Sequence, residues 1–172
     1  CNAVTVANNG DIIAGGWFLN AGGLPAANIA RWNGTAWSAV GSGMDGIVSA
    51  LATLPGGDLV AAGSFNNAGG SGAGRIARWN GSAWSGMGTP DAAVQALVVT
   101  ATGDLIAGGY FHGGIGGPHI ARFNGSSWSS IGGGLGAIVF AIEELPNGDL
   151  VAGGAFPFGS NQVFRFDGTS WS

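Results

Sequence analysis

Four aspartates, Asp11, Asp58, Asp104 and Asp149, recur in step with four arginines, Arg31, Arg78, Arg122 and Arg165. Acids and bases repeated in this way could hold a divalent cation or hold each other. A calcium loop needs several oxygen ligands, typically from an Asp-x-Asp-x-Asp run. Here each aspartate is followed by apolar residues. The one-to-one match, in a chain with only 8% charged residues, predicts four repeated ion pairs that are buried or half-buried. Removing the arginine from a buried pair would cost on the order of 3–5 kcal/mol by stranding a carboxylate.

The remaining candidates offer little for catalysis. His112 and His119 lie seven apart with no carboxylate between them. Zinc needs more ligands than this, so a hydrogen-bonded loop histidine is expected. These are the only histidines, and no Ser-His-Asp arrangement follows from one loop. Glu143 and Glu144 are neighbours on a predicted strand, so they point to opposite faces and cannot act as a carboxylate pair. Asn33, Asn80 and Asn124 begin Asn-x-Ser/Thr sequons. Turn geometry accounts for them, since Asp167 keeps the turn in the fourth copy and loses the sequon. The single cysteine, Cys1, excludes an internal disulfide framework and a multi-thiolate metal site. No enzyme activity, cofactor or metal is expected.

The elements that would position these residues form a repeat. Gly-Asp occurs at Gly10-Asp11, Gly57-Asp58, Gly103-Asp104 and Gly148-Asp149, a spacing of 45 to 47. The segments that follow read DIIAGGWF, DLVAAGSF, DLIAGGYF and DLVAGGAF, and later ARWNGTAW, ARWNGSAW, ARFNGSSW and FRFDGTSW. Trp37, Trp84, Trp128 and Trp171 close the copies. The first apolar slot holds Cys1, Val48, Val94 and Val139, so Cys1 is expected to be a small core residue rather than the first residue of a lipoprotein. With no initiator Met and no signal peptide, the segment is expected to be mature, trimmed or excised.

Each copy reads as four short strands. The first is typified by Ile47 to Leu54, the second by Asp58 to Phe65, the third by Arg75 to Trp79, and the fourth surrounds Trp84. Asn80-Gly81 and its equivalents are strong hairpin signals, and no segment carries a sustained helical period. A four-stranded sheet that is apolar on both faces must bury both against neighbours. A repeat of about 40–50 residues with four strands has the size of a propeller blade. The Ala-Gly-Gly of the second strand suits close approach of neighbouring backbones, and the tryptophans fill the wider space between blades. The expected fold is all-β: four tandem four-stranded antiparallel blades of a β-propeller, at about 1–44, 45–90, 91–134 and 135–172 of one domain. Trp37, Trp84 and Trp128 would lie between neighbours, with Trp171 more exposed if the array is open.

The glycine doublets Gly15-Gly16, Gly108-Gly109 and Gly153-Gly154, followed by an aromatic and a tryptophan five residues apart, resemble the kelch repeat. The pattern is similar to the kelch-like propellers of fungal cortical polarity markers. It also resembles secreted bacterial proteins with GDLVAGGxF…IARWNGxxW repeats. Copy two departs with Ala62-Gly63, and copy four with Phe166-Asp167. The resemblance implies a propeller, usually of six or seven blades, so that four copies would belong to a larger array. It implies no single activity. A kelch-fold copper oxidase would need more than Tyr110 and Cys1 with two histidines, and the Asn-Gly turn lacks the leading Ser of a sialidase Asp-box.

The net charge of −4, with five arginines and no lysine, argues against nucleic acid. No apolar run reaches the length of a membrane span. The expected function is a non-catalytic repeat scaffold for protein interaction or surface assembly, extracellular or on a bacterial cell surface. A glycan-binding module is the alternative, and a fragment of a propeller enzyme is a third reading. The partner would be a protein or glycan, with self-assembly to complete or extend the propeller as a further route. The connection between the second and third strands varies most, spanning thirteen positions from Phe18 to Arg31 and nine from Phe156 to Arg165. It carries the unshared chemistry: Trp17, Asn20, Asn66, Arg75, Tyr110, His112, His119 and Asn161. Such loops on a rigid scaffold are where recognition resides, which makes these the candidate partner-binding residues.

Overall fold

The computed structural model describes residues 1–155 and 163–172. Among them there is no helix. The first repeat forms β1 (Ala3–Val6), β2 (Ile12–Gly15), a small hairpin of β3 (Asn20–Ala21) and β4 (Leu24–Pro25), then β5 (Ile29–Trp32) and β6 (Trp37–Ala39). The second forms β7 (Ile47–Thr53), β8 (Leu59–Ser64), the hairpin β9 (Asn67–Ala68) and β10 (Ser71–Gly72), β11 (Ile76–Trp79) and β12 (Trp84–Gly86). The third has β13 (Val94–Val99), β14 (Leu105–Gly109), β15 (Ile120–Phe123) and β16 (Trp128–Ser130). The fourth has β17 (Ile138–Glu144), β18 (Leu150–Ala155) and β19 (Val163–Phe166), with Phe166 bridged to Trp171 where the other repeats place a fourth strand. All pairings among the described residues are antiparallel: the sheets run β1-β2-β5-β6, β7-β8-β11-β12, β13-β14-β15-β16 and, with three strands, β17-β18-β19. The small hairpins stand apart between the second and third strands of the first two blades. These are the blades of a β-propeller.

Two compact units divide the chain, residues 1–89 and 90–172. In the first, β1 and β2 of the first repeat pack on β7 of the second. Ile13, Ile29, Val40 and Met44 meet Val48, Leu51, Leu59 and Trp84 in one core. In the second unit, β13 and β14 pack on β17. Ile106, Ile120, Ile131 and Leu135 there meet Val139, Ile142 and Leu150. The same faces are used twice.

The glycine doublet has two separate causes. The first glycine faces the next repeat: a Cβ on Gly15 would lie 2.5 Å from Val48 Cγ1, and one on Gly108 would lie 2.6 Å from Val139 and Ile142. The second faces its own sheet. The first strand bulges between Val48 and Ala50, Val94 and Ala96, and Val139 and Ala141. The extra residue pushes a backbone carbonyl toward Gly63, Gly109 and Gly154. The expected approach of neighbouring blades thus explains only the first of the two positions.

The tryptophans also pack with a direction. Trp84 donates its indole N–H to the Val40 carbonyl at 3.0 Å, and Trp171 donates to Ile131 at 3.1 Å. Each reaches back to the preceding repeat. Trp171 is half-buried, as Trp37 and Trp128 are, while Trp84 is buried. Cys1, expected in the core, is exposed. Val48 and Val139, the valines of its slot in the second and fourth repeats, are buried in the cores shared with the first and third repeats.

All four ion pairs form, each within its own blade: Arg31 with Asp11, Arg78 with Asp58, Arg122 with Asp104 and Arg165 with Asp149. The carboxylates are largely buried, but the guanidinium groups are about half exposed, at 44–54%. Asp11 and Asp149 also accept from Asn9 and Asn147 at 2.6 Å. Removing an arginine should therefore leave a carboxylate that water can reach, and should cost less than the loss of a partner from a fully buried pair.

The Asn-Gly hairpins are built by the asparagine itself. Asn33 Oδ1 accepts the N–H of Thr35 at 3.0 Å and of Ala36 at 2.9 Å, while Gly34 takes a φ of 94°. Asp167 does the same in the fourth repeat. The Ser170 N–H, the Thr169 hydroxyl and the Thr169 N–H hold its carboxyl down to about 2. Its contribution to stability is present above the unfolded value of 3.8 and is lost as pH falls through about 2. Asp167→Asn should keep the turn, as Asn does in the other repeats. Urea unfolding of the two chains should show their stability difference narrowing between pH 4 and pH 2. A difference independent of pH would show that the carboxylate is not held by the turn.

Candidate functional site

The connection between the second and third strands is ordered by three devices. Glycines at positive φ, Gly22-Gly23 and Gly69-Gly70, turn the small hairpins of the first two repeats. An aspartate ahead of the repeat clamps the start of the loop. Asp45 Oδ1 accepts the N–H groups of Asn66 and Asn67 at 2.8 and 2.9 Å, and its Oδ2 accepts the Asn67 side chain at 2.7 Å. Burial pushes this carboxyl up, but the hydrogen bonds outweigh it and hold it below the ordinary range. Asp91 binds the N–H groups of His112 and Gly113 at 2.8 and 3.2 Å, and these hold it low as well.

The third device is a left-handed residue just before the third strand. Asn28, Arg75 and His119 occupy this slot with φ of 65°, 72° and 62°. Asn and His tolerate such angles better than most residues. Asn28 is buried; its Oδ1 accepts the Phe18 N–H at 3.1 Å and its Nδ2 donates to the Met44 carbonyl at 2.9 Å. His119 is buried with Nδ1 3.1 Å from the Gly109 carbonyl oxygen, and its ring meets His112 at 4.5 Å. Arg75 is half-buried. This position joins the loop to the sheet.

The other candidates lie as follows. Asn20, Asn66 and His112 are exposed on the connection, though the backbone of Asn66 and His112 is held by the aspartate clamps. Tyr110 stacks edge-on against Phe140 at 5.8 Å. Asn161 lies outside the described residues. Trp17 stands out, at 78% exposure. Leu19 and Leu24 of the same connection are exposed at 70% and 55%, and sequence reasoning passed over them. The signal was available by comparing copies: where the first repeat has Trp17, Leu19 and Leu24, the second has Ser64, Asn66 and Ser71. The scaffold accepts polar residues at all three places. The first repeat holds an apolar set there that its fold does not require.

A second feature recurs. A cleft of about 340 Å³ between the first two repeats is lined by Asp11, Arg31, Asp58, Trp79 and Asn80. Its equivalent between the third and fourth, about 370 Å³, is lined by Asp104, Arg122, Glu144 and Phe166. Glu144 Oε2 is engaged there by the Ala101 N–H at 2.6 Å. The aspartates of these clefts are held by the arginines of their own blades. Among the described residues no three His, Cys, Asp or Glu gather as a metal-binding set, and no helix is long and apolar enough to cross a membrane.

This architecture has counterparts. A family model described as a domain of unknown function (DUF5122) beta-propeller matches residues 7–34 and 55–83. Selenomethionine virginiamycin B lyase from Staphylococcus aureus superposes with a TM-score of 0.60 at 12% identity, over 99% of this chain and 54% of the lyase. A catalytically inactive variant of that lyase with quinupristin gives 0.61 at 14% identity and the same coverage. A protein provisionally assigned as a gluconolactonase gives 0.58 at 12% identity, over 98% of this chain and 71% of that one. No curated protein matches the sequence. At such identities the likeness is one of fold. The chain spans about half the length of the lyase structures it matches.

Proposed function

We propose that this chain is a non-catalytic propeller scaffold that binds a protein partner through the second-to-third-strand connection of its first repeat. We place it outside the cell or on a bacterial cell surface, with the kelch-like secreted repeat proteins that its glycine and aromatic spacing resembles. The observation that carries the reading is the apolar set Trp17, Leu19 and Leu24, exposed on one ordered loop, with polar residues at the equivalent places in the second repeat. Tryptophan is among the anchors that dominate protein interfaces, and a contiguous exposed apolar patch marks an interaction site. The activities of the lyase and the gluconolactonase lend it no support, because the shared property is the fold.

A glycan-binding module is the second reading, favoured by the paired clefts in which Trp79 or Phe166 lies beside an Asp–Arg pair. One variant separates the two. Trp17→Ser with Leu19→Asn and Leu24→Ser installs the residues of the second repeat, so its thermal midpoint should stay close to that of the parent. A photo-crosslinker at Asn20 should capture a protein from the native cell surface with the parent loop, and lose at least tenfold of that product with the variant. Equal capture by both chains would sink the protein-binding reading. Glycan-array binding that survives the variant and is lost on Trp79→Ala would replace it with the glycan one.

A further inference from the structure

Five Asn-Gly pairs occur in the chain, in two kinds of turn. Asn33-Gly34, Asn80-Gly81 and Asn124-Gly125 join the third strand of a blade to its fourth, whereas Asn9-Gly10 and Asn147-Gly148 join the first to the second. All five asparagines are exposed, so access to water does not separate the two kinds. Their hydrogen bonds do.

An asparagine before glycine can lose its side-chain nitrogen by cyclisation, because glycine has no Cβ to hinder the approach of its backbone nitrogen. The glycine nitrogen bonds to the asparagine Cγ and gives its proton to solvent, and the Cγ–Nδ2 bond breaks with release of ammonia. Water then opens the cyclic imide and leaves a carboxylate. Three atoms govern the rate: the nitrogen that attacks, the Oδ1 on which negative charge gathers, and the Nδ2 that leaves.

In the turns before the fourth strands all three are disposed for the reaction. The N–H groups of Gly34, Gly81 and Gly125 donate no hydrogen bond among the described residues. Asn33 Oδ1 accepts the Thr35 N–H, the Ala36 N–H and the Thr35 hydroxyl at 3.0, 2.9 and 2.9 Å. Asn80 Oδ1 accepts the corresponding groups of Ser82 and Ala83, and Asn124 Oδ1 those of Ser126 and Ser127. Donors fixed around an oxygen stabilise the negative charge that forms on it. Nδ2 takes no part in these bonds, and Asp167 keeps them with a carboxylate in the same place.

In the turns before the second strands each atom is tied. Gly10 N–H donates to the Ala7 carbonyl and Gly148 N–H to that of Leu145, both at 2.9 Å. Oδ1 has a single long donor, the Asp11 N–H at 3.2 Å for Asn9 and the Asp149 N–H at 3.3 Å for Asn147. Nδ2 donates to Asp11 Oδ2 and Asp149 Oδ2, at 2.6 Å in both cases. A carboxylate formed there would stand against another carboxylate.

We propose that Asn33, Asn80 and Asn124 are sites of spontaneous deamidation, activated by the donors on Oδ1, and that the fold spares Asn9 and Asn147. Each event adds one negative charge at a turn that retains its shape, as Asp167 does. The folded parent chain is incubated at mildly alkaline pH, with circular dichroism confirming the fold throughout. Peptide mapping by mass spectrometry reads the gain of one mass unit at each asparagine. Asn33, Asn80 and Asn124 should convert on the order of tenfold faster than Asn9 and Asn147, the effect of one or two hydrogen bonds on a barrier. In denaturant the five rates should converge, since each site is then an unfolded Asn-Gly peptide. Thr35→Val removes one donor from Asn33 Oδ1 and should slow that site about fivefold, with Asn80 unchanged. Equal rates at the five sites of the folded chain, or faster conversion at Asn9 and Asn147, would overturn the proposal. So would a spread of rates that persists in denaturant, or no conversion at the three sites while the unfolded chain reacts. An unchanged rate at Asn33 in Thr35→Val would overturn the activation assigned to the donors.

Discussion

Trp84→Ala is expected to destabilise the chain by about 3–5 kcal/mol, the usual cost of deleting a large buried aromatic. The indole is buried, packs against Trp79 with ring centroids 5.3 Å apart, and donates to the Val40 carbonyl. Its loss would empty the core between the first two repeats and leave that carbonyl without its donor. Trp37 supplies the control. It has the same sequence context and the same tilted partner, Trp32 at 5.5 Å, but its outer side is open. Trp37→Ala should therefore cost well under half as much, about 1–2 kcal/mol. Urea or guanidinium unfolding of the two variants makes the comparison. Equal losses would mean that the tryptophans act within their own sheets and that inter-repeat packing has been misread.

Gly109→Ala should be comparably damaging for a different reason. The added Cβ would lie 2.3 Å from the Ala93 carbonyl oxygen and 2.9 Å from Val94 Cα. Both are backbone atoms of a bulged strand paired to the same sheet, so neither can swing aside as a side-chain end could. Relief requires the bulge to shift and would cost on the order of 3 kcal/mol or more. Gly63 and Gly154 meet the equivalent carbonyls, of Ile47 and Ile138, at 2.0 and 1.9 Å, and their alanine variants should behave alike. Gly113→Ala is the contrast. Nothing lies within 4 Å of its added Cβ, and its φ is not left-handed, so the change should be neutral or slightly stabilising. Thermal unfolding of the four variants would reveal a failure at once: three mild midpoints would remove the bulge as the cause of the second glycine.

Much of the fold was legible because the repeat displays it four times. Gly-Asp, Asn-Gly and the closing tryptophans fix the strands to within a residue or two, as with Ile47–Thr53 and Leu59–Ser64. The ion pairs were legible because Asp and Arg recur in step within a chain otherwise poor in charge. The separate causes of Gly108 and Gly109 were not. A bulge is a two-against-one register, and a single strand's sequence does not display its partner's register. The burial of His119 and the strain at Asn28 and Arg75 were hidden as well. Those three share a backbone angle rather than a side-chain chemistry, so aligning residue types made the slot look variable. Leu19 and Leu24 were visible in the alignment, but only their exposure gives the contrast with Asn66 and Ser71 its meaning.

Native-state hydrogen exchange tests the central claim most directly, namely that each repeat is one blade with its second strand bonded on both sides. The amides of Ile12–Gly15, Leu59–Ser64, Leu105–Gly109 and Leu150–Ala155 should form four maxima of protection. Fast exchange should separate them at the exposed Asn-Gly turns, Asn33-Gly34, Asn80-Gly81 and Asn124-Gly125. Protection without this period, or slow exchange running unbroken through those turns, would contradict the account.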